Sequence, residues 1–197
     1  MESDLVGVSR DLDARTVLEA YRAGVFPMGG RRAITWHCPR VRAVVPLDGV
    51  HVPRSLARRI RQGGFEITCN TAFREVMMGC ADRDETWIDA RILSVYQQLH
   101  KNGDAHSLEV WVDGQLAGGI YGVQIGGAFF AESMFHRVTD MSKVALVKLA
   151  ERLRECGFAL LEVQYLTPHL TRFGAVEIGF DEYMRQVDEA AALLRRF

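Results

Sequence analysis

Two apolar segments of the chain carry groups able to do chemistry. Phe129-Phe130-Ala131-Glu132-Ser133-Met134-Phe135 sets one carboxyl inside a run of strand-like composition, and Leu161-Glu162-Val163-Gln164-Tyr165 sets a second. A carboxylate is expensive to bury without a partner, so each acid calls for a cation, a hydrogen-bonding partner or a ligand. Strands alternate faces, which predicts that Glu162 and Gln164 point to the same side of theirs. An acid and an amide then sit side by side on one sheet surface, with Glu132 in a neighbouring strand-like segment. Such groups orient or deprotonate a polar substrate. A structural ion pair or a solvated sheet face would give the same pattern.

The elements that must position these groups follow from periodicity and punctuation. Asp13 is placed to cap a short helix over 14–23, with Val17, Leu18 and Tyr21 on one face and Gly24 at its end. Val25-Phe26-Pro27 leads into a Gly29-Gly30 loop. Residues 34–36 and 43–45 read as short strands around Pro39, completing a small N-terminal module, 1–49, ahead of a larger domain, 50–197. A basic helix is expected over 53–62, a strand over 65–69, a helix capped by Asn70 or Thr71 that stops near Gly79, and a helix capped by Asp89 that ends at Gly103. Residues 108–112 and 116–123 flank Asp113-Gly114 as a hairpin, and Gly126-Gly127 turns the chain into a strand over 128–135. The clearest helix spans 142–156, capped by Asp140 or Ser142, with Leu146, Leu149, Ala150 and Leu153 in one stripe. A strand over 158–166, broken by Pro168, and a last helix over 181–194 close the chain. Helices, then an antiparallel meander, then helix–strand–helix describe an α+β layered domain.

Composition narrows the class. Of 197 residues 48% are hydrophobic and 25% charged, which is ordinary for a globular protein with a sizeable core. No run approaches the roughly 18 apolar residues that span a bilayer, so no membrane partner is expected. Met1-Glu2-Ser3-Asp4 does not read as a secretory signal. Cys38, Cys69, Cys80 and Cys156 are far apart and form no Cys-x-x-Cys; reduced thiols in a cytoplasmic protein without a zinc site are expected, and the adjacent His37-Cys38 does not make one. Net charge is −1, which argues against a dedicated nucleic-acid coat. The charge is nevertheless uneven. Arg54, Arg58, Arg59 and Arg61 follow Arg31, Arg32, Arg40 and Arg42, while the chain beyond Glu66 is acidic. This basic sector is a solvated helix face or a phosphate-binding patch.

A set of landmarks then points to a family. In order they are Ala20-Tyr21-Arg22-Ala23-Gly24-Val25-Phe26-Pro27, Asn70-Thr71-Ala72-Phe73, Gly79-Cys80-Ala81 with Thr86-Trp87-Ile88, His106-Ser107-Leu108-Glu109-Val110-Trp111, Gly118-Gly119-Ile120-Tyr121-Gly122-Val123, Glu132-Ser133-Met134-Phe135 and Phe173-Gly174-Ala175-Val176-Glu177-Ile178. By their order and spacing the chain resembles the bacterial leucyl/phenylalanyl-tRNA–protein transferases, from about Leu5 to Tyr183.

The resemblance implies a small N-terminal domain plus a GNAT-type acyltransferase domain with a mixed, largely antiparallel sheet. It implies transfer of leucine or phenylalanine, and also methionine, from its tRNA to the α-amino group of proteins beginning with Lys or Arg, a mark for N-degron proteolysis. It implies a monomer that uses no cofactor and no metal. Glu162 would orient or deprotonate the amine, directly or through Gln164, and Gln164 would contact the reacting groups. Glu132 would fix substrate amino groups. Phe130, Met134, Phe135 and Val123 would form the apolar pocket for the transferred side chain, and Thr167 would complete the substrate contacts. Arg54, Arg58, Arg59 and Arg61 would meet tRNA phosphates. The family's Asp-x-Gln is Glu162-Val163-Gln164 here, and its Phe-Pro-Trp is Phe26-Pro27-Met28. Its Trp-Trp-Ser-Pro is Trp36-His37-Cys38-Pro39, and its Gly-Gly-Asp-Leu is Ser9-Arg10-Asp11-Leu12. Met28, Trp36 and Trp87 are thus the residues left to cover the 3′ adenosine. The alternatives are a diverged transferase with another donor or acceptor, such as acidic N-termini, and a non-catalytic tRNA- or peptide-binding module.

Overall fold

In the computed structural model, which describes residues 4–197, the chain builds two sheets. The smaller one holds β1 (Leu5–Ser9), β2 (Phe26–Gly29) and β3 (Ile34–His37), in the antiparallel order β1-β3-β2. Between β1 and β2 runs α1 (Ala14–Arg22), whose first turn is capped as expected: Asp13 accepts from the Thr16 N–H at 2.9 Å. Its inward face buries Val17 and Tyr21 completely.

The larger sheet has seven strands. Its spatial order is β10 (Val176–Gly179), β4 (Val41–Val44), β9 (Leu160–Glu162), β8 (Ala128–His136), β7 (Gln115–Ile125), β6 (Ala105–Val112) and β5 (Glu66–Cys69). All neighbours are antiparallel except β8 and β9. The fold is therefore α+β with a mixed, largely antiparallel sheet. The strand near residue 43, assigned from sequence to the small module, instead pairs inside the large sheet between β9 and β10. Its buried Ala43, Val44 and Val45 find apolar partners there.

Helices cover both faces. On one side α1, α3 (Phe73–Ala81), α4 (Ala90–Asn102) and α7 (Phe180–Ala191) share a core that includes Tyr21, Val76, Tyr96, Phe130 and Tyr183. On the other, α2 (Arg54–Gln62), α5 (Met141–Glu155) and α6 (Pro168–Thr171) pack around Leu56, Leu146, Phe129 and Leu170. The cap of α3 is not Asn70 or Thr71. Ala72 holds that position, and Glu109, reaching from β6, takes the Thr71 hydroxyl at 2.9 Å and the Thr71 and Ala72 N–H groups at 3.5 Å.

Two local irregularities shape the middle of the sheet. The strand expected over 158–166 lasts only three residues, because Gln164 adopts φ 55° and turns the chain away. β8 and β9 therefore pair only from Ala128↔Leu160 to Phe130↔Glu162 and then part. The second irregularity is a bulge in β8: Tyr121 pairs with Ser133 and Gly122 with Ala131, so Glu132 has no opposite number. A bulge reverses the alternation beyond it. Phe130 and Phe135, five apart, accordingly lie in the same core, while Met134 packs on the opposite face.

Gly122 permits that bulge. A Cβ there would lie 2.3 Å from the Phe130 carbonyl oxygen and 2.5 Å from the Phe129 ring. We expect Gly122→Ala to lower stability by about 1–3 kcal/mol, as over-packing does, read as a lower urea midpoint. An unchanged midpoint would mean that the bulge tolerates a side chain.

Candidate active site at the strand fork

Where β8 and β9 part, Glu132 meets three hydrogen-bond donors. Tyr21 Oη from α1 donates to Glu132 Oε1. Tyr96 Oη from α4 lies 3.4 Å from Glu132 Oε2 and 2.7 Å from Tyr21 Oη. Gln164 Nε2 donates to Glu132 Oε1 at 3.2 Å. Both tyrosines are fully buried, and a buried Tyr hydroxyl needs a polar partner. The cavity position and the neighbouring Glu162 charge have a clear effect on this carboxyl. Burial first, and then repulsion from Glu162, outweigh the two tyrosines and push it up to about 8.

Glu162 has a different environment. It is 0% exposed and paired with Arg42, also 0% exposed. Arg42 Nε and Nη2 donate to Glu162 Oε1 at 3.0 and 2.8 Å, and the Gln164 N–H donates to the same oxygen at 2.7 Å. Arg42 Nη1 reaches the Gly24 carbonyl at 2.6 Å, and its guanidinium lies over the rings of Phe26 and Tyr183 at 5.1 and 4.3 Å. Burial pushes the Glu162 carboxyl above its ordinary value, against the pull of Arg42. Arg42 is thus buried at the fork and is not part of the basic surface sector to which the sequence assigns it. Glu162 and Gln164 are not neighbours on a strand face. They are joined by a main-chain N–H to carboxylate bond.

A cavity of about 210 Å³ opens beside this group, lined by Phe26, Pro27, Met28, Trp87, Glu132, Val163, Gln164, Tyr165, Thr167 and Leu170. An adjoining pocket of about 90 Å³ shares Glu132, Val163, Gln164 and Leu170 and is closed by Ile120, Ala131, Met134 and Leu146. Met28, Trp87 and Thr167 therefore line the cavity, and Met134 lines the adjoining pocket. Phe130, Phe135 and Val123 line neither: they are buried in the core on the other side of the sheet, where the bulge at Glu132 brings Phe135 onto the face of Phe130. Trp36 also stands apart, its indole N–H donating to Ser9 Oγ at 3.0 Å within the small sheet. Thr167 doubles as the cap of α6, accepting from the Leu170 N–H at 3.2 Å. A larger groove, about 1140 Å³, runs beside Asp4, Val6, Cys38 and Phe180. It brings together no buried acid–amide pair, and the chemistry lies at the fork.

Sequence reasoning missed Tyr21, Tyr96 and Arg42 as site residues. In the sequence Tyr21 and Tyr96 are visible only as inward positions on helices, and the signal that marks them is that a buried hydroxyl needs a polar partner. The four arginines of α2 lie away from the fork, on the α5 side of the sheet. Arg54, Arg58 and Arg61 are exposed, while Arg59 is partly tied down over the Phe65 ring at 5.6 Å.

Comparison with known proteins decides the family. The model described as leucyl/phenylalanyl-tRNA protein transferase matches residues 44–188, and that of its N-terminal domain matches residues 10–40. The chain belongs to this family. It is 52% identical over 182 residues to the leucyl/phenylalanyl-tRNA–protein transferase of Ruegeria pomeroyi, covering 91% of this chain and 87% of that one. To the enzyme of the same name from Salinibacter ruber it is 51% identical, covering 85% and 75%. Members are aminoacyltransferases, and this chain is an enzyme of that class. Among solved structures, FemX shares the fold with a TM-score of 0.54 at 12% identity, over 72% of this chain and 60% of that one. Among the described residues no helix is long and apolar enough to cross a membrane.

The raised carboxyl has a consequence for stability. A carboxyl that titrates near 4.5 when unfolded and near 8 when folded binds its proton more tightly in the folded state. Stability must then fall as pH rises through that window, by at most about 1.4 kcal/mol per pH unit. Glu132→Gln keeps an acceptor for Tyr21 and removes the titration. We expect urea midpoints of the wild type to drop from pH 5 to pH 8 relative to those of Glu132→Gln. Parallel curves would place the Glu132 pKa at its ordinary value.

Proposed function

We propose that this chain transfers leucine or phenylalanine, and also methionine, from its tRNA onto the α-amino group of proteins that begin with Lys or Arg. The product would enter the N-degron route to proteolysis, and the enzyme would act as a cytoplasmic monomer of two parts, the small sheet and the large one. The observation that carries the reading is the Glu132–Gln164 pair, which sits in the wall of a cavity and of the apolar pocket that adjoins it. The α-amine and the ester meet at the polar end, and the apolar side chain of the donor enters between Met134, Ile120, Leu146 and Leu170.

The chemistry required is modest. Aminolysis of an activated ester needs a neutral amine, and an α-amine titrates near 8. Positioning and a preorganised donor for the developing oxyanion then supply most of the acceleration. Gln164 spends one amide N–H on Glu132 and has a second to offer the ester oxygen. Glu162 acts through Gln164: buried against Arg42, it fixes the main chain that presents the amide. The 3′ adenosine would lie against Met28 and Trp87. Met28 covers a base without offering a π face, where an aromatic residue contributes roughly 1–3 kcal/mol. Arg54, Arg58 and Arg61 would meet stem phosphates with salt-dependent, sequence-independent affinity.

The test is transfer of labelled leucine from Leu-tRNA to peptides beginning with Arg, Lys, Asp or Glu. Product is expected with Arg and Lys alone. Gln164→Ala should lower kcat by about 10²-fold or more, the loss seen when an oxyanion donor is removed, with KM for Leu-tRNA little changed. Transfer to the acidic peptides would overturn the acceptor assignment. An active Gln164→Ala would overturn the role of the amide.

A further inference from the structure

The two buried tyrosines are the part of the fork that no step above uses. Each hydroxyl carries one proton. That of Tyr21 is committed to Glu132 Oε1, and that of Tyr96 lies between Tyr21 Oη and Glu132 Oε2. Desolvation first, and then the Glu132 charge, push both hydroxyls well above their ordinary range. They remain donors at working pH and cannot themselves serve as the base. Glu162 is unsuited for another reason: it has no exposed surface, and Arg42 holds it. Glu132 alone, half-buried at the cavity wall, can both reach a substrate and change its protonation.

We propose that Glu132 is the group that takes the α-ammonium proton of the acceptor, and that Tyr21 and Tyr96 are positioning residues whose hydrogen bonds favour its ionised form against the burial that opposes it. This rests on the transferase reading. The step balances as follows. Glu132 takes one proton from the ammonium, and the nitrogen lone pair forms the C–N bond. The C–O bond to the ribose breaks, its electron pair leaves on oxygen, and a second proton from the nitrogen ends there. The proton on Glu132 returns to solvent.

The groups facing Glu132 account for the direction. Tyr21 from α1, Tyr96 from α4 and Gln164 after β9 donate to it. Arg42 on β4 favours the ionised carboxyl, and Glu162 on β9 disfavours it. Tyr121 on β7 and Tyr183 on α7 stand close enough to feel its charge, and Arg83 reaches the adjacent Ser133 hydroxyl at 2.9 Å. Hydrogen bonds to the ionised form lower a pKa, so loss of a tyrosine hydroxyl must raise it.

The experiment pairs two readouts on Tyr21→Phe and Tyr96→Phe. In the transfer assay, with one Arg-initiated peptide throughout, the pH–rate profile of Tyr21→Phe should move up by about one unit. Its deficit should be largest near pH 7 and close above pH 9, with KM for Leu-tRNA unchanged. Tyr96→Phe should shift in the same direction by less, since its bond is longer. In the second readout, ¹³C-carboxyl-labelled glutamate NMR follows Glu132 without substrate, the signal being assigned by its loss in Glu132→Gln. Its midpoint should rise in both variants. A loss of rate by the same factor at every pH, with an unmoved carboxyl midpoint, would make the tyrosines merely structural and overturn the proposal. A raised midpoint together with no transfer by the wild type would instead overturn the transferase reading.

Discussion

The fork depends on one buried ion pair. Arg42 and Glu162 are both sealed from solvent, and a single oxygen, Glu162 Oε1, receives two guanidinium N–H groups and the Gln164 main chain. Removing two charges from water is costly, and such a pair seldom adds stability over well-packed apolar residues. What it adds here is connection. Through Arg42 it ties the end of α1 at Gly24, the aromatic ring of Phe26 in the small sheet and Tyr183 of α7 to strand β9. Through the Gln164 N–H it fixes a residue in the left-handed region that would otherwise be strained. The Gln164 carbonyl, in turn, accepts from the Ala43 N–H at 3.0 Å. The amide end of Gln164 is therefore aimed at Glu132 by groups sealed from solvent.

The opening itself follows from sheet geometry. Parallel neighbours that part after three paired residues leave a wedge, and the bulge at Glu132 turns its carboxyl toward the two tyrosines. One strand contributes a carboxyl shifted by burial, and the other a turn that presents an amide. The same bulge delivers Met134 to the apolar pocket and withdraws Phe135 from it. The placing of the Glu132 carboxyl and of the Met134 side chain therefore comes from a single irregularity.

Much of this was legible in the sequence. The caps at Asp13 and Asp89, the hairpin at Asp113-Gly114, the long helix after Asp140 and the α+β class follow from periodicity and turn chemistry. Glu132 and Glu162 stood out because acids are rare in apolar runs, and Gln164 because it lies two residues after Glu162. Less legible were features that local pattern cannot encode. The resemblance put Phe130, Met134 and Phe135 in one pocket, but the bulge at Glu132 leaves Phe130 and Phe135 in one core and Met134 on the opposite face. A strand over 158–166 was implied by composition, yet tertiary bonds hold Gln164 at positive φ. Arg42 looked like one basic residue among many, since only the folded sheet brings it 120 residues along the chain to Glu162. The buried hydroxyls of Tyr21 and Tyr96 were hidden in the same way: helix periodicity turned them inward without naming what they would meet.

The central claim is that the Arg42–Glu162 pair serves positioning rather than stability. It is tested most directly by measuring urea stability and Leu-transfer turnover in Arg42→Met, Glu162→Leu and the double variant. Each single change strands a buried charge or leaves its hydrogen-bond partners unmet, and should cost about 3–5 kcal/mol. The double variant should regain most of that stability, while turnover stays at least about 10²-fold down, because Gln164 has lost its anchor. Turnover that returned in step with stability in the double variant would contradict the account.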